Sequence, residues 1–229
     1  MTDTGLPRLR LLQLLSPNLP TGAFTWSQGI EWAVECGWLN SRQSTHDWIK
    51  SILDDSLQYL ELPLLSRLYT AASHNHHDKF LHWSQWLYAS RETFELRNEE
   101  KQRARALLTV LEKLPGHQHW PALHDNRQAL LSCQLAGYAV AACHWKISLH
   151  DLLSAYTWSW LENTVLVAMK LVPLGQSDGQ RLLYELSTDI ERVIKQIPFI
   201  DDNEIGASTP ALAIASSLHE TQYTRLFRS

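Results

Sequence analysis

Histidines are the side chains in this sequence that could most readily bind a metal ion. His74, His76 and His77 lie together in the stretch SHNHHD, and imidazole nitrogens are good ligands for nickel and zinc. Dedicated metal sites add thiolate or carboxylate ligands and partners that orient the rings, and the spacing in this polar bend is poor for such a set. We therefore expect surface histidines with adventitious metal binding, and no dedicated metal site.

Motifs for enzymatic chemistry are missing from the sequence. It contains no Glu-x-x-His pair for a di-iron centre, no HExxH zinc motif, no GxxxxGK phosphate loop and no GxGxxG dinucleotide motif. Cys143 and His144 are adjacent, but neighbouring residues on a helix point about 100° apart and would not form a nucleophile and base. The sequence therefore predicts no catalytic centre, no cofactor and no nucleotide hydrolysis by the chain alone.

The composition disfavours two further classes of partner. The 229 residues include 20 basic and 24 acidic ones, for a net charge of −4, and no basic run, so neither nucleic acid nor an anionic membrane is an expected partner. No stretch is long and apolar enough to span a bilayer. Ten tryptophans are unusual, because this large amphipathic ring suits both a core and the centre of a protein interface. The composition therefore fits a protein that binds other proteins.

The three cysteines indicate a reducing compartment. Cys36, Cys133 and Cys143 are odd in number, form no CxxC pair, and each lies in a helical, largely apolar context. Cysteines of this kind are expected to be reduced thiols in the core. We therefore expect a soluble, cytoplasmic protein.

Apolar residues recur at intervals of three and four along nearly the whole chain, whereas alternating β-branched runs are missing. This pattern predicts an all-α fold, a single domain over residues 1–229 built as a compact bundle of about eight to ten helices. The predicted helices are Leu9–Leu15, Trp26–Glu35, a segment opened by Ser44 and Asp47 that continues or kinks near Pro63 toward Leu68, Phe80–Ala89, Arg91–Leu114, Ala122–Trp145, Leu149–Leu171, a segment opened by Ser177 and Gln180, and a last one that Pro210 begins and Thr209 caps.

Two of these helices have distinctive compositions. Ala122–Trp145 is rich in small residues that let neighbouring backbones approach closely, so we expect it to be the central helix. Arg91–Leu114 carries charges three or four positions apart, a spacing typical of a long helix that is half exposed.

A stiff aromatic elbow, SPNLPTGAFTWSQGIEW, connects the first two predicted helices. Its two prolines prevent a helix from running through it. Thr25 and Gln28 match a capping box that would start the second helix, and Gly37 would end that helix. On local grounds the elbow is a structural corner that buries Phe24 and Trp26.

Two polar stretches have residues that a core does not need. Gln176, Ser177 and Gln180 surround two glycines in LGQSDGQ and could present amide groups to a partner, although a capped turn between helices also explains them. The C-terminal tail mixes aromatic, aliphatic and guanidinium groups of the kind found in interface hot spots. These tail residues are Tyr223, Arg225, Leu226, Phe227 and Arg228.

Four stretches together resemble the UreF-type urease accessory proteins. SPNLPTGAFTWSQGIEWAVECGW is similar to the N-terminal motif of that family, RETFELRNEEKQRARALL to its charged central helix, LVPLGQSDGQRLL to its proline-leucine-glycine-glutamine turn, and SSLHETQYTRLFRS to its C-terminal signature. The matches occur in the expected order from about Leu11 to Ser229. Two departures are Trp26, where tyrosine is expected, and Ala104, where glycine is usual.

The resemblance implies an all-α, non-catalytic protein without a cofactor that forms a homodimer and binds the accessory protein UreD (UreH). This pair would recruit the GTPase UreG to the urease apoprotein subunits and couple GTP hydrolysis to nickel insertion. By motif position, the tail at about 219–229 would be ordered by the UreD contact or would support it, and Lys170 with the Gln176 loop would lie on the GTPase-facing side. The implied partner-binding residues are Glu31, Lys170, Gln176, Ser177, Gln180, Tyr223, Arg225, Leu226, Phe227, Arg228 and Ser229.

Two other functions remain open at this point. A helical nickel chaperone could use His74, His76 and His77 directly. A helical enzyme could use a small apolar pocket lined by tryptophans and scattered polar residues.

Overall fold

The computed structural model of the protein describes residues 5–228, and this part of the chain is helical and contains no strand. The all-α fold class is confirmed, whereas the homodimer stays a prediction. The α-helices are α1 Leu6–Leu14, α2 Ile30–Glu35, α3 Arg42–Ile52, α4 Leu62–Ser73, α5 His77–Ala89, α6 Phe94–Leu111, α7 Pro121–Asp125, α8 Arg127–Leu130, α9 Gln134–His144, α10 Leu149–Leu171, α11 Gln176–Ile194 and α12 Pro210–His219. A π-helix, Leu53–Glu61, joins α3 to α4, and 3₁₀ turns lie at Ala23–Thr25, His117–His119, Ile197–Phe199 and Asp202–Glu204.

Helix α9 lies in the middle of the molecule, as its small residues predict. All of residues 134–142 are buried, and α4 and α6 pack against this helix. Gly137 shows how close the packing is, because a Cβ atom there would lie 2.6 Å from Leu107 Cδ2 on α6. The predicted continuous helix Ala122–Trp145 is wrong in its extent, since the extended backbone of Cys133 (φ −133°, ψ 116°) separates α9 from α7 and α8.

The π-helix leads directly into α4, so the helical path continues past Pro63, where the sequence allowed either a continuation or a kink. Pro63 lies in the first turn of α4, a position at which a backbone N–H is not needed. The wider π turn presents Glu61 to the interior, where only 6% of this residue is exposed.

The elbow begins α2 differently from the sequence prediction. Thr25 and Gln28 do not form a capping box, because the Thr25 hydroxyl donates to the Gly22 carbonyl and Gln28 Nε2 donates to Glu99 Oε1. Gln28 and Gly29 both have left-handed backbone (φ 50° and 78°), and α2 begins only after them. The direction of α2 is therefore set by two consecutive residues with left-handed backbone, and not by a side-chain cap.

Two aromatic residues of the elbow, Trp26 and Phe24, differ in their burial. Trp26 is buried as predicted, but the predicted burial of Phe24 is wrong, since 58% of that residue is exposed. Gly37 follows α2 with φ 82°, which confirms it as the residue that ends this helix.

The predicted start of α3 at Ser44 and Asp47 is wrong by about one turn. Ser41 precedes the helix, its Oγ accepts the backbone N–H of Ser44, and Ser44 Oγ accepts that of Ser41. The capping box was missed because serine takes the place of the usual Glu or Gln.

The predicted capping box of α11, Ser177 with Gln180, is also wrong. The residue before the helix is Gly175, whose backbone N–H donates to Asp178 Oδ2. A glycine has no side chain to signal this role.

The cysteines only partly follow the prediction of core thiols. Cys133 is buried, Cys143 is half-buried with its Sγ 3.5 Å from the Tyr69 carbonyl oxygen, and Cys36 is exposed, so the prediction is wrong for Cys36. Burial raises the pKa of Cys143 to about 11 and that of Cys133 still further. No helix within residues 5–228 is long and apolar enough to cross a bilayer.

Candidate partner-binding site

Glu31 on α2 is a buried carboxylate that binds the C-terminal tail. Its Oε1 accepts the backbone N–H of Leu226 at 2.5 Å, and its Oε2 accepts that of Phe227 at 2.8 Å. Only 8% of Glu31 is exposed, and hydrogen bonds to a charged acceptor are strong when water is excluded. Glu31, proposed from the sequence for partner binding, therefore holds the tail of its own chain.

His219, the last residue of α12, completes the attachment. Its ring is fully buried, with Nε2 3.2 Å from Glu31 Oε2 and Nδ1 2.8 Å from Glu95 Oε2. Because both nitrogens face carboxylate oxygens, both can donate only when the ring is an imidazolium cation. Arg225 NH1 lies 3.0 Å from Glu95 Oε1, so Glu95 binds both the His219 ring and a guanidinium. We call Glu31, Glu95, His219 and Arg225 the tail clasp.

The end of the tail is attached at three further points. The backbone N–H of Arg228 donates to the Thr25 carbonyl, and its guanidinium donates to Gln102 Oε1. The Phe227 ring is buried, with Lys170 Nζ 5.9 Å from its centre. In this structure the chain's own residues hold the tail. The expected role of the tail, that the UreD contact orders it or is supported by it, stays a prediction.

The clasp leaves apolar side chains of the tail in solvent. Tyr223 is fully exposed, and 71% of Leu226 is exposed. The end of the tail runs beside the turn that carries Phe24, which is also exposed. A short tail fixed in one conformation, with its apolar groups outward, can bind a protein partner at a low entropic cost.

Lys170 and the polar loop are the other residues that the sequence proposes for partner binding. Lys170 lies at the exposed end of α10 and shares the tail surface through Phe227. Gln176, Ser177 and Gln180 are exposed in the first turn of α11. Ser229 lies outside the described residues.

The histidine stretch does not form a metal site within residues 5–228. His74 and His76 stack with ring centres 5.7 Å apart, and His74 Nδ1 lies 2.9 Å from the Thr70 carbonyl oxygen. His77 turns toward Asn126, with Nδ1 3.1 Å from Oδ1. The three rings therefore do not converge on one metal position among the described residues.

A second group of buried charges lies deeper in the molecule. Arg91 bridges two carboxylates, with NH1 2.7 Å from Glu61 Oε1 and NH2 2.8 Å from Glu100 Oε2. The Tyr156 hydroxyl donates to Glu61 Oε2 at 2.5 Å, and Arg103 pairs with Glu99 at 2.7 Å. We call Glu61, Arg91, Glu99, Glu100, Arg103 and Tyr156 the core network.

The core network shifts the pKa values of its members in opposite directions. Burial opposes ionisation of Glu61, but Arg91 and Tyr156 outweigh it and hold the pKa of Glu61 below its ordinary value. For Glu99 burial prevails over Arg103, and the pKa is raised. Burial, reinforced by the Glu61 carboxylate, raises the pKa of Tyr156. As the pH falls, Glu99 is therefore protonated before an ordinary glutamate and Glu61 after it.

Of the tail clasp and the core network, only Glu31 and Arg225 were named from the sequence, as partner-binding residues, although one further signal was present. Leu96, Glu100 and Ala104 are four positions apart and belong to the stripe that α6 buries, which continues through Leu107 and Leu111. A carboxylate within an apolar stripe predicts a buried partner. Glu95 lies outside that spacing, and no local pattern marks it.

The family model and the similar proteins of known name agree on one family. The family model described as UreF matches residues 39–187. Proteins named "Urease accessory protein UreF" are similar over nearly their whole length. One from Alcanivorax borkumensis is 55% identical over 96% of this chain and 97% of its own. One from Pseudomonas entomophila is 46% identical over 99% and 100%, and one from Alkalilimnicola ehrlichii is 43% identical over 100% and 98%.

Proposed function

This chain belongs to the UreF family of urease accessory proteins, and from that premise we propose that it is a non-catalytic scaffold for nickel insertion into urease. With UreD (UreH) it recruits the GTPase UreG to the urease apoprotein subunits. GTP hydrolysis by UreG is thereby coupled to assembly of the nickel centre. We further propose that it acts in the cytoplasm as a homodimer.

The tail clasp is the observation that supports this proposal most directly. It fixes a segment whose Tyr223 and Leu226 side chains point to solvent. Exposed aromatic and aliphatic groups on a preorganised backbone are typical anchors of protein interfaces. We assign this surface to UreD, and the Lys170 and Gln176 region to the side that faces UreG.

The chemistry of the one adjacent Cys–His pair supports a role without catalysis. Because burial raises the pKa of Cys143 to about 11, little thiolate exists at neutral pH. The His144 ring packs on Trp120, with ring centres 3.7 Å apart, and is not directed to the thiol by any observed hydrogen bond. Neither residue is arranged as an activated nucleophile or its base.

The first experiment is stepwise assembly, followed by size-exclusion chromatography with light scattering. The chain is measured alone, then with UreD, and then with UreG, GTP and nickel. We expect a complex to form at each step and the lone chain to retain no metal. Failure of the folded chain to bind UreD or UreG at any step would refute the scaffold function.

A second experiment tests the tail surface separately. The double variant Tyr223→Ser with Leu226→Ser changes only exposed side chains, so stability should change by less than about 0.5 kcal/mol. We expect UreD affinity to fall at least about tenfold, which corresponds to about 1.4 kcal/mol. Tyr184→Ser is the matched control, because 80% of Tyr184 is exposed on α11. Equal UreD affinity of the double variant and the control would refute the tail assignment alone.

The histidine stretch distinguishes the scaffold from a direct nickel chaperone. Replacement of His74, His76 and His77 by alanine should leave complex formation and urease activation unchanged, because the three rings do not converge on one metal position among the described residues. Loss of activation with normal assembly would instead favour a chaperone that uses these histidines.

A further inference from the structure

A cavity of about 40 Å³ separates the elbow from the core network. The elbow forms one wall, from Ser16 to Ala23, and α6 forms the opposite wall with Glu99 and Arg103. Tyr138 of α9 also lines it. The elbow therefore closes over a polar surface, which differs from the dry apolar corner that its aromatic sequence suggests.

Two buried polar atoms at this cavity have no hydrogen-bond partner within residues 5–228. They are Glu99 Oε2 and Arg103 Nε. The other oxygen of Glu99 accepts from Gln28 Nε2 at 3.0 Å and from Arg103 NH1 at 2.7 Å, and only 4% of Glu99 is exposed. A buried acceptor or donor without a partner has lost its hydrogen bonds to water, so a ligand that pairs with both atoms would be bound favourably.

The charges of the wall favour a neutral ligand. The carboxyl groups of Glu61, Glu99 and Glu100 face the guanidinium groups of Arg91 and Arg103. Burial raises the pKa of Glu99, so this is the carboxyl that can most readily take up a proton. Once it does, two negative and two positive charges balance. Such a wall offers little net attraction to a metal cation or to an anion.

The volume limits the ligand to a few small molecules. One water molecule needs about 10–15 Å³ of such space and two to four polar partners. Water can accept from Arg103 Nε and can either donate to Glu99 Oε2 or accept from its protonated form. We propose that this cavity is an internal binding site for a cluster of about three water molecules, which complete the hydrogen bonds of Glu99 and Arg103.

The site joins two elements that also build the tail clasp. Glu99 lies one turn after Glu95 on α6, and its partner Gln28 lies two residues before the start of α2, which carries Glu31. The bound water thus hydrates the joint between α2 and α6, next to the residues that hold the tail.

A high-resolution crystal structure of the full chain tests the site directly. We expect separate peaks of water density about 2.7–3.2 Å from Glu99 Oε2 and from Arg103 Nε. Crystals under xenon pressure should show no xenon there, because xenon enters dry apolar cavities. A cavity without density that takes up xenon would overturn the proposal. So would a bound ion or organic solute in place of water.

A conservative variant sharpens the test. Arg103→Lys keeps a cation near Glu99 but removes the Nε donor, so the water beside that atom should be lost while the one beside Glu99 Oε2 remains. Arg105→Lys, two residues along the same helix, is the control and should keep the full cluster. Unchanged water positions in Arg103→Lys would contradict the assignment of Arg103 Nε as a ligand of the cluster.

Discussion

The tail clasp and the core network both use buried acidic residues of α6, but they pair them with different groups. In the clasp, Glu95 faces His219 and Arg225, while Glu31 accepts backbone N–H groups of the tail. In the core network, Glu100 shares the guanidinium of Arg91 with a second carboxylate. One helix therefore binds the C-terminal tail at one turn and the interior of the molecule at the next.

This difference in partners predicts a difference in what happens when each group is broken. A broken clasp can be relieved, because the tail can lift and water can reach the carboxylates. The core network joins the π-helix, the segment before α6, α6 itself and α10, and none of these can lift away as the tail can. An unpaired charge there therefore stays buried, even beside the few waters of the cavity. Breaking the tail clasp should therefore open only the tail, whereas breaking the core network should lower the free energy of unfolding of the whole fold.

Arg91→Met should have the largest effect. It leaves the buried carboxylates of Glu61 and Glu100 without their shared cation, and removal of one partner from a buried ion pair costs about 3–5 kcal/mol. The free energy of unfolding is measured by urea denaturation. Arg192→Met is the control, because Arg192 pairs with Asp54 and Asp189 at the surface and such pairs contribute about 0–1 kcal/mol. If both variants lost the same free energy of unfolding, the ion pairs of the core network would contribute no more to stability than surface pairs do.

Glu31→Gln should have the next largest effect, confined to the tail. It removes the charged acceptor of the Leu226 and Phe227 N–H groups and the partner of His219. Local opening should become easier by roughly 1–3 kcal/mol. We expect hydrogen exchange of those two amides to accelerate about 10- to 100-fold while the amides of α9 keep their protection.

Glu35→Gln is the matched control for this prediction. Glu35 lies one turn later on α2, is exposed, and bonds only the Gln222 side chain of the tail segment. Exchange at Leu226 and Phe227 should stay near the wild-type rate. If Glu31→Gln unfolded α9 as well, the clasp would belong to the same cooperative unit as the core network.

The pH dependence of stability should give the smallest and most specific effect. The folded pKa of Glu61 is lowered, so its stabilising contribution is present above the ordinary value of 4.5 and is lost as the pH falls through the folded pKa. For Glu99 the folded pKa is raised, so its contribution is present below 4.5 and is lost as the pH rises through the folded pKa.

Glu99→Gln removes the pH-dependent contribution of Glu99, because an amide mimics the protonated carboxyl. The variant should lack the fall in stability that begins just above pH 4.5, about 1.4 kcal/mol for each unit by which the pKa is raised. Urea denaturation across a pH series measures it, with Glu112→Gln near the end of α6 as the control. A wild-type curve that coincides with that of Glu99→Gln at every pH would contradict the raised pKa.

The sequence determined the features that depend on local spacing. Intervals of three and four define helices directly, so the all-α class and the exact bounds of Leu149–Leu171 could be predicted. The small residues of α9 likewise indicated a central helix. Residue types in the tail favour a binding surface, and this assignment stays a prediction.

Only the tertiary structure decided which charges are buried and what they bind. Charges three or four positions apart on α6 are compatible with both an exposed and an interior face, so Glu99 could be assigned only once the elbow packed against it. The apolar stripe marks Glu100 as buried but does not identify Arg91 as its partner. The clasp joins Glu31 to Leu226 across 195 positions and Glu95 to His219 across 124. Helical periodicity reports neighbours within one or two turns, whereas contacts between distant segments depend on how the helices pack.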